Sequence, residues 1–246
     1  MKIRRTLLAF AVAPALLLTS ACSGDSAEEP EKGKGSPTAE QSPLPKEKAS
    51  QEAAAKAERI GAMPPKELEK AALDGTSHGF AAKKVSEAEV EAGQGMKADK
   101  AECQPLASLV GGFTHIEAVT VVHRSLEPTD PTNATIGSMW LASHSEKSAK
   151  QVMKDLRTSL KKCTEGFKTL GLSYTSIKRL KDPDLGNEAV SYSITSKVAD
   201  QSVPMTYTVV REDGVIASFY GVNMLTPKKS AIPEAVIKDQ LEQLDQ

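Results

Sequence analysis

"PMTYTVVREDGVIASFYGVNM", residues 204–224, decides the fold. Two runs rich in β-branched and aromatic residues flank Asp213-Gly214, a pair suited to a two-residue turn, so the stretch predicts a β-hairpin. Upstream, "AVSYSITSKV" (189–198) puts Val190, Tyr192 and Ile194 on one face and Ser191, Ser193 and Thr195 on the other, the period of a strand. "LSYTSIKRL" (172–180) reads as one more. Four successive strands without an intervening helix call for an antiparallel sheet.

Working towards the N-terminus, Ala149, Val152, Met153, Leu156, Leu160 and Cys163 form one stripe, predicting a long helix over 146–163 with Ser145 as its N-cap. "ATIGSMWLASHS" and "IEAVTVVHRS" (116–125) read as strands joined by the Pro-rich loop "EPTDPTN". Cys103, Leu106, Ala107 and Val110 share a helix face closed by Gly111-Gly112. "HGFAAKKV" (78–85) suggests a short strand, and "PPKELEKAALDG" a helix between a leading proline and a trailing glycine. Residues 87–100 read as a loop with a helical turn. Ile232, Val236, Ile237, Leu241 and Leu244 mark a C-terminal amphipathic helix. The expectation is one α+β domain over 64–246, a largely antiparallel sheet with helices packed on one face.

Ahead of it, residues 22–63 read as a disordered tether with a frayed helix over 49–60, since large apolar residues are nearly absent. Residues 1–21 carry a cationic start, an apolar run and small residues, the parts of an export signal. The run is shorter than the roughly 20 residues a membrane span needs. "TSAC" (19–22) after a leucine run resembles the lipobox of bacterial lipoproteins. That resemblance implies cleavage before Cys22, a lipid on its sulfur, and a place on the outer face of the cytoplasmic membrane. An ordinary secreted chain with a free Cys22 is the alternative.

Of 31 basic and 32 acidic side chains, the leader takes three basic ones, Lys2, Arg4 and Arg5, leaving a net charge of −4. That balance argues against nucleic-acid binding and against a polybasic membrane patch. Cys103 and Cys163 each fall on the apolar stripe of a helix, as a core-facing disulfide requires, in a compartment oxidising enough to form it. Two buried thiols are the alternative; no Cys-x-x-Cys or Cys/His cluster points to a metal.

"ELEKAALDGTSHGFAAKKV", "ADKAECQPLA" and "SAKQVMKDLRTSLKKCTEGF" resemble successive blocks of secreted actinobacterial lipoproteins. The last two are similar to the extracellular sensor domain of mycobacterial receptor Ser/Thr kinases. The resemblance implies a sheet-and-helix fold with a cleft, tied by disulfides, that binds a ligand outside the cell. This chain has cysteines for one such disulfide where that fold has two, and it carries no kinase domain.

No catalytic constellation emerges. His78, His115, His123 and His144 form no metal motif and read as surface or loop-edge residues. Asp182 and Asp184 lack the alternating ligands of a calcium loop and read as a turn around Pro183. Trp140, Tyr207 and Phe219 are the candidates to line an apolar ligand pocket, with Tyr207 and Phe219 facing each other across the hairpin. No cofactor is expected. The reading is a lipid-anchored, non-enzymatic binding or sensor-like module for an unknown small apolar ligand. The alternatives are a structural or protein-interaction lipoprotein of the envelope and, behind it, an enzyme with an unrecognised site.

Overall fold

A computed structural model describes residues 45–198 and 201–246. The export signal, Cys22 and the first half of the expected tether lie outside the described residues. The chain runs α1 (Pro45–Ile60), α2 (Pro65–Ala71), β1 (Gly75–Ser77), β2 (Phe80–Lys84), α3 (Glu87–Gly93), α4 (Gln104–Val110), β3 (Thr120–Pro128) and β4 (Thr135–Ser143). Then come α5 (Glu146–Lys162), β5 (Phe167–Thr169), β6 (Leu172–Arg179), β7 (Glu188–Val198), β8 (Gln201–Glu212), β9 (Val215–Asn223) and α6 (Glu234–Leu244). All nine strands join one antiparallel sheet in the order β1-β2-β3-β4-β9-β8-β7-β6-β5. The protein is a single α+β domain, as its strand succession predicts.

Helices cover both faces of the sheet, a correction to the one-sided packing expected. On one face α4 and α5 lay Leu106, Ala107, Val152, Met153 and Leu156 against Trp140, Tyr192, Tyr207 and Ile216. On the other, α2 and α6 lay Leu68, Val236, Ile237 and Leu241 against Met139, Leu141, Val210, Ala217 and Phe219. The physical reason is in the central strands: neighbours Val209 and Val210, and Ile216 and Ala217, point to opposite faces and all are fully buried. A strand apolar on consecutive residues has no solvent face to offer, so both sides need a cover.

Specific polar contacts fix the covers. Ser145 caps α5 by accepting from the Ser148 amide. Ser159 on α5 donates to the Glu102 carbonyl beside α4 at 2.6 Å. The Cys103–Cys163 disulfide ties the start of α4 to the end of α5 across 60 residues. On the opposite face the fully buried Gln240 of α6 accepts from the Leu73 amide and donates to the Ala71 carbonyl, holding the end of α2. α1 is a formed helix whose Ala57 is fully buried, although its sequence offers little apolar surface.

The hairpin closes on a two-residue loop: Glu212 pairs with Val215, and Asp213 takes a positive φ of 46°. That register puts Tyr207 opposite Tyr220 and Thr208 opposite Phe219. Tyr207 and Phe219 therefore do not face each other; they lie on opposite faces of the sheet.

A candidate ligand cleft on the aromatic face

The register aligns Ser125, Ser138, Tyr220, Tyr207 and Tyr192 in one row across β3, β4, β9, β8 and β7. The adjacent row on that face begins with His123 and Trp140, also direct partners. Side chains opposite one another on paired strands lie close enough to touch, so the rows are continuous surfaces. Tyr192 and Tyr207 stack almost parallel with ring centres 5.0 Å apart; Tyr220 leans on Tyr207 at 5.2 Å, and Trp140 meets it edge-on at 6.3 Å. Tyr174 on β6 stacks on Phe167 at 5.1 Å. The chain has four tyrosines and one tryptophan, and this one face collects all five.

A cavity of about 370 Å³ opens over the rows. Its floor is Ser125, Ser138, Trp140, Tyr174, Met205, Tyr207 and Tyr220. Its walls are Val85, Glu89 and Val90 from α3 and its lead-in, Met96, and Val110, Gly111 and Gly112 at the end of α4. Two more clefts, of about 460 and 410 Å³, border the same helix, and Val90 and His123 line all three. α3 is thus a short rod between openings, and none of its residues is buried.

Glu89 and His123 are the charged or titratable polar groups in the wall. Ser86 and Glu89 form a capping box: the Ser86 side chain accepts from the Glu89 amide, and the Glu89 carboxylate accepts from the Ser86 amide. Hydrogen bonds from the Ser86 hydroxyl and amide hold that carboxyl below its usual range. Burial lowers the His123 imidazole, while its contact to the Gly112 carbonyl at 2.8 Å works the other way. Gly112, with φ of 82°, leaves no room for a side chain: a Cβ there would sit 2.9 Å from His123 Nε2. Burial drives the hydroxyls of Tyr174, Tyr207 and Tyr220 to pKa values above their ordinary one, so all stay protonated donors.

Of the three residues the sequence nominated for the pocket, Trp140 and Tyr207 come together on its floor. Phe219 does not: it packs in the opposite core with Met139 and Ile237. Tyr174, Tyr220, His123, Ser125 and Ser138 were not nominated. The signal for Tyr220 is the turn itself, since a loop of Asp213-Gly214 makes every facing pair of numbers sum to that of Tyr207 and Tyr220. Helix α3 is announced by Ser86-x-x-Glu89.

His78 is exposed, as expected, but His115 and His123 are half-buried and His144 is fully so. His144 is buried, its Nε2 3.0 Å from the Thr114 hydroxyl and its Nδ1 without a partner. Burial, with the nearby His115 and Lys56 charges, lowers its pKa to about 4. His115 pairs with Asp155 at 3.0 Å. Asp182 accepts from Arg157 and from the Ser191 amide, which anchors its turn. Among the described residues no group of three or more His, Cys, Asp and Glu is placed to hold a metal ion. None of the described helices is long and apolar enough to cross a membrane.

No family model matches the chain, and no curated protein matches it. Among solved structures the chain is similar to the extracellular domain of PknH from Mycobacterium tuberculosis. The identity is 12%, the match covers 66% of this chain and 91% of that one, and the TM-score is 0.38.

Proposed function

We propose that the protein is a non-enzymatic extracytoplasmic binding or sensor-like module, held at the outer face of the bacterial cytoplasmic membrane by a lipid on Cys22. The observation that carries the reading is the cleft, where Tyr174, Tyr207, Tyr220 and the one tryptophan converge beneath a thinly attached helix. A concave site of a few hundred Å³, mostly apolar with a few polar groups, is the usual form of a small-molecule site. An apolar ligand body fits against Trp140, Met205 and Val90. The hydroxyls of Ser125, Ser138, Tyr207 and Tyr220 supply direction. With Glu89 occupied by its cap and His123 by Gly112, the site suits an uncharged ligand, because a charge would enter without a partner. The disulfide supports an oxidising compartment.

Native mass spectrometry of the protein purified from its host tests the cleft. A small molecule should be retained, and Ser138→Leu, which fills the floor from a half-buried position, should expel it while the fold still melts cooperatively. Retention by Ser138→Leu sinks the reading. For the anchor, Cys22→Ala should move the protein from the salt-washed membrane fraction to the soluble one; continued membrane fractionation would show that the lipid is not what holds it.

A further inference from the structure

At the end of β9, Leu225 is 82% exposed and Met224 54%. Ile136, paired with Val222 on the neighbouring strand, is also 54% exposed. Scattered apolar residues on a surface need no explanation, but this corner is built. Asn223, only 3% exposed, accepts from the Leu225 amide at 3.1 Å and the Thr226 amide at 2.6 Å. Its own amide donates to the Thr135 hydroxyl at 2.8 Å, which donates in turn to the Lys229 carbonyl at 2.9 Å. Beyond the turn, the hydroxyls of Thr206 and Ser230 pair at 2.6 Å. A buried polar network thus clamps both ends of a turn whose apolar side chains point into solvent. Without it, Leu225 would be free to fold back and bury itself. Lys228 and Lys229 follow directly, exposed, and neither forms an ion pair among the described residues.

We propose that this corner docks the domain on an anionic lipid surface, with Leu225 and Met224 entering below the headgroups and Lys228 and Lys229 meeting their negative charge. Apolar insertion beside cationic side chains is how peripheral proteins hold an anionic bilayer. The shape favours a bilayer over a protein groove. Two or three exposed side chains offer far less than the roughly 800 Å² per partner of a stable protein interface, whereas a bilayer closes around so small a patch. Two lysines are no polybasic patch, so the acidic net charge of the chain is no obstacle. The inference is independent of the cleft, which lies among other residues.

The test is flotation of the mature chain, residues 22–246 carrying Cys22→Ser so that no acyl chain is attached. The vesicles are phosphatidylcholine alone or phosphatidylcholine with phosphatidylglycerol. Binding should favour the anionic vesicles. The double variant Lys228→Gln, Lys229→Gln should bind them about 30-fold more weakly, at about 1 kcal/mol per lysine. Leu225→Asp, at a position too exposed to disturb the fold, should lose at least about 10-fold with unchanged melting. Equal binding to both vesicle types, or variants that bind as the parent does, overturns the proposal. So does a Leu225→Asp variant that keeps vesicle binding and sheds a co-purifying protein, since the corner is then a protein contact. Ligand retention in the cleft should be the same in every variant, so the two readings fail separately.

Discussion

Gly93 and Gly111 meet backbone to backbone: a Cβ built on either would fall inside van der Waals contact with the other's carbonyl oxygen. Since α3 contributes no buried residue, this contact sets how closely the helix sits on the cleft. Gly93→Ala and Gly111→Ala must each push α3 outward. Denaturant unfolding should show a loss of about 1–3 kcal/mol, the usual cost of forcing a methyl into a packed contact. Acrylamide should quench Trp140 fluorescence more strongly, and an unchanged quenching constant would show that the glycine contact does not seat the helix.

Reducing the Cys103–Cys163 disulfide releases a 60-residue loop. In the chain-entropy account such a loop is worth about 4 kcal/mol. Urea midpoints with and without reductant should differ accordingly, and Cys103→Ala combined with Cys163→Ala should match the reduced protein. Equal midpoints would mean the two helices are held by packing alone.

Stability should fall on mild acidification. His144 titrates near 4 in the folded protein because burial opposes its imidazolium. In the unfolded chain it titrates near 6.5, so its contribution is complete above that value and is lost as the pH drops from 6.5 to 4. By about pH 5 the loss should reach roughly 2 kcal/mol, and His123, shifted the same way by burial, adds to it. Carboxyls held low by arginines, such as Glu188 and Asp182, weaken the fold only in stronger acid. Urea melts between about pH 7 and pH 5 therefore report chiefly the histidines, set against Glu212, whose carboxyl burial raises and whose contribution has the opposite sign. The slope should shrink in His144→Gln; a slope unchanged by that substitution assigns the effect elsewhere.

Tyr192 and Tyr207 stack face to face, yet the Tyr192 hydroxyl is buried without a partner. Tyr192→Phe keeps the stack and removes a desolvated group, so it should stabilise by about 1 kcal/mol. Tyr207→Leu opens the floor of the cleft and should cost about 2–4 kcal/mol. Trp140 emission should shift in the Tyr207 variant and hold still in the Tyr192 one. A destabilised Tyr192→Phe would reveal a partner for the hydroxyl.

The parts of the fold legible in the sequence are those that carry a period. The stripe of α5 and the alternation of β7 state both the element and its buried face. α3 has no stripe, only Val90, so nothing periodic marks it, and β5 is three residues long, too short to show alternation. Consecutive apolar residues such as Val209-Val210 tell of burial on both faces only once the strand assignment is secure. The site was half legible for a related reason. Aromatic residues are visible one at a time, but their grouping is a property of register, and reading Phe219 for Tyr220 as the partner of Tyr207 moves a ring to the other face of the sheet.

A sheet with a core on each face has no idle positions. Along β8 from Met205 to Arg211, and along β9, each residue answers to one packed layer and its neighbour to the other, so a change of volume there displaces something. The open floor beneath α3 is where that rule relaxes: Ser125, Ser138 and Met205 each keep one side towards the cavity. Substitutions at those positions can therefore enlarge, shrink or re-polarise the cleft while the two packed layers beneath and behind it stay as they are.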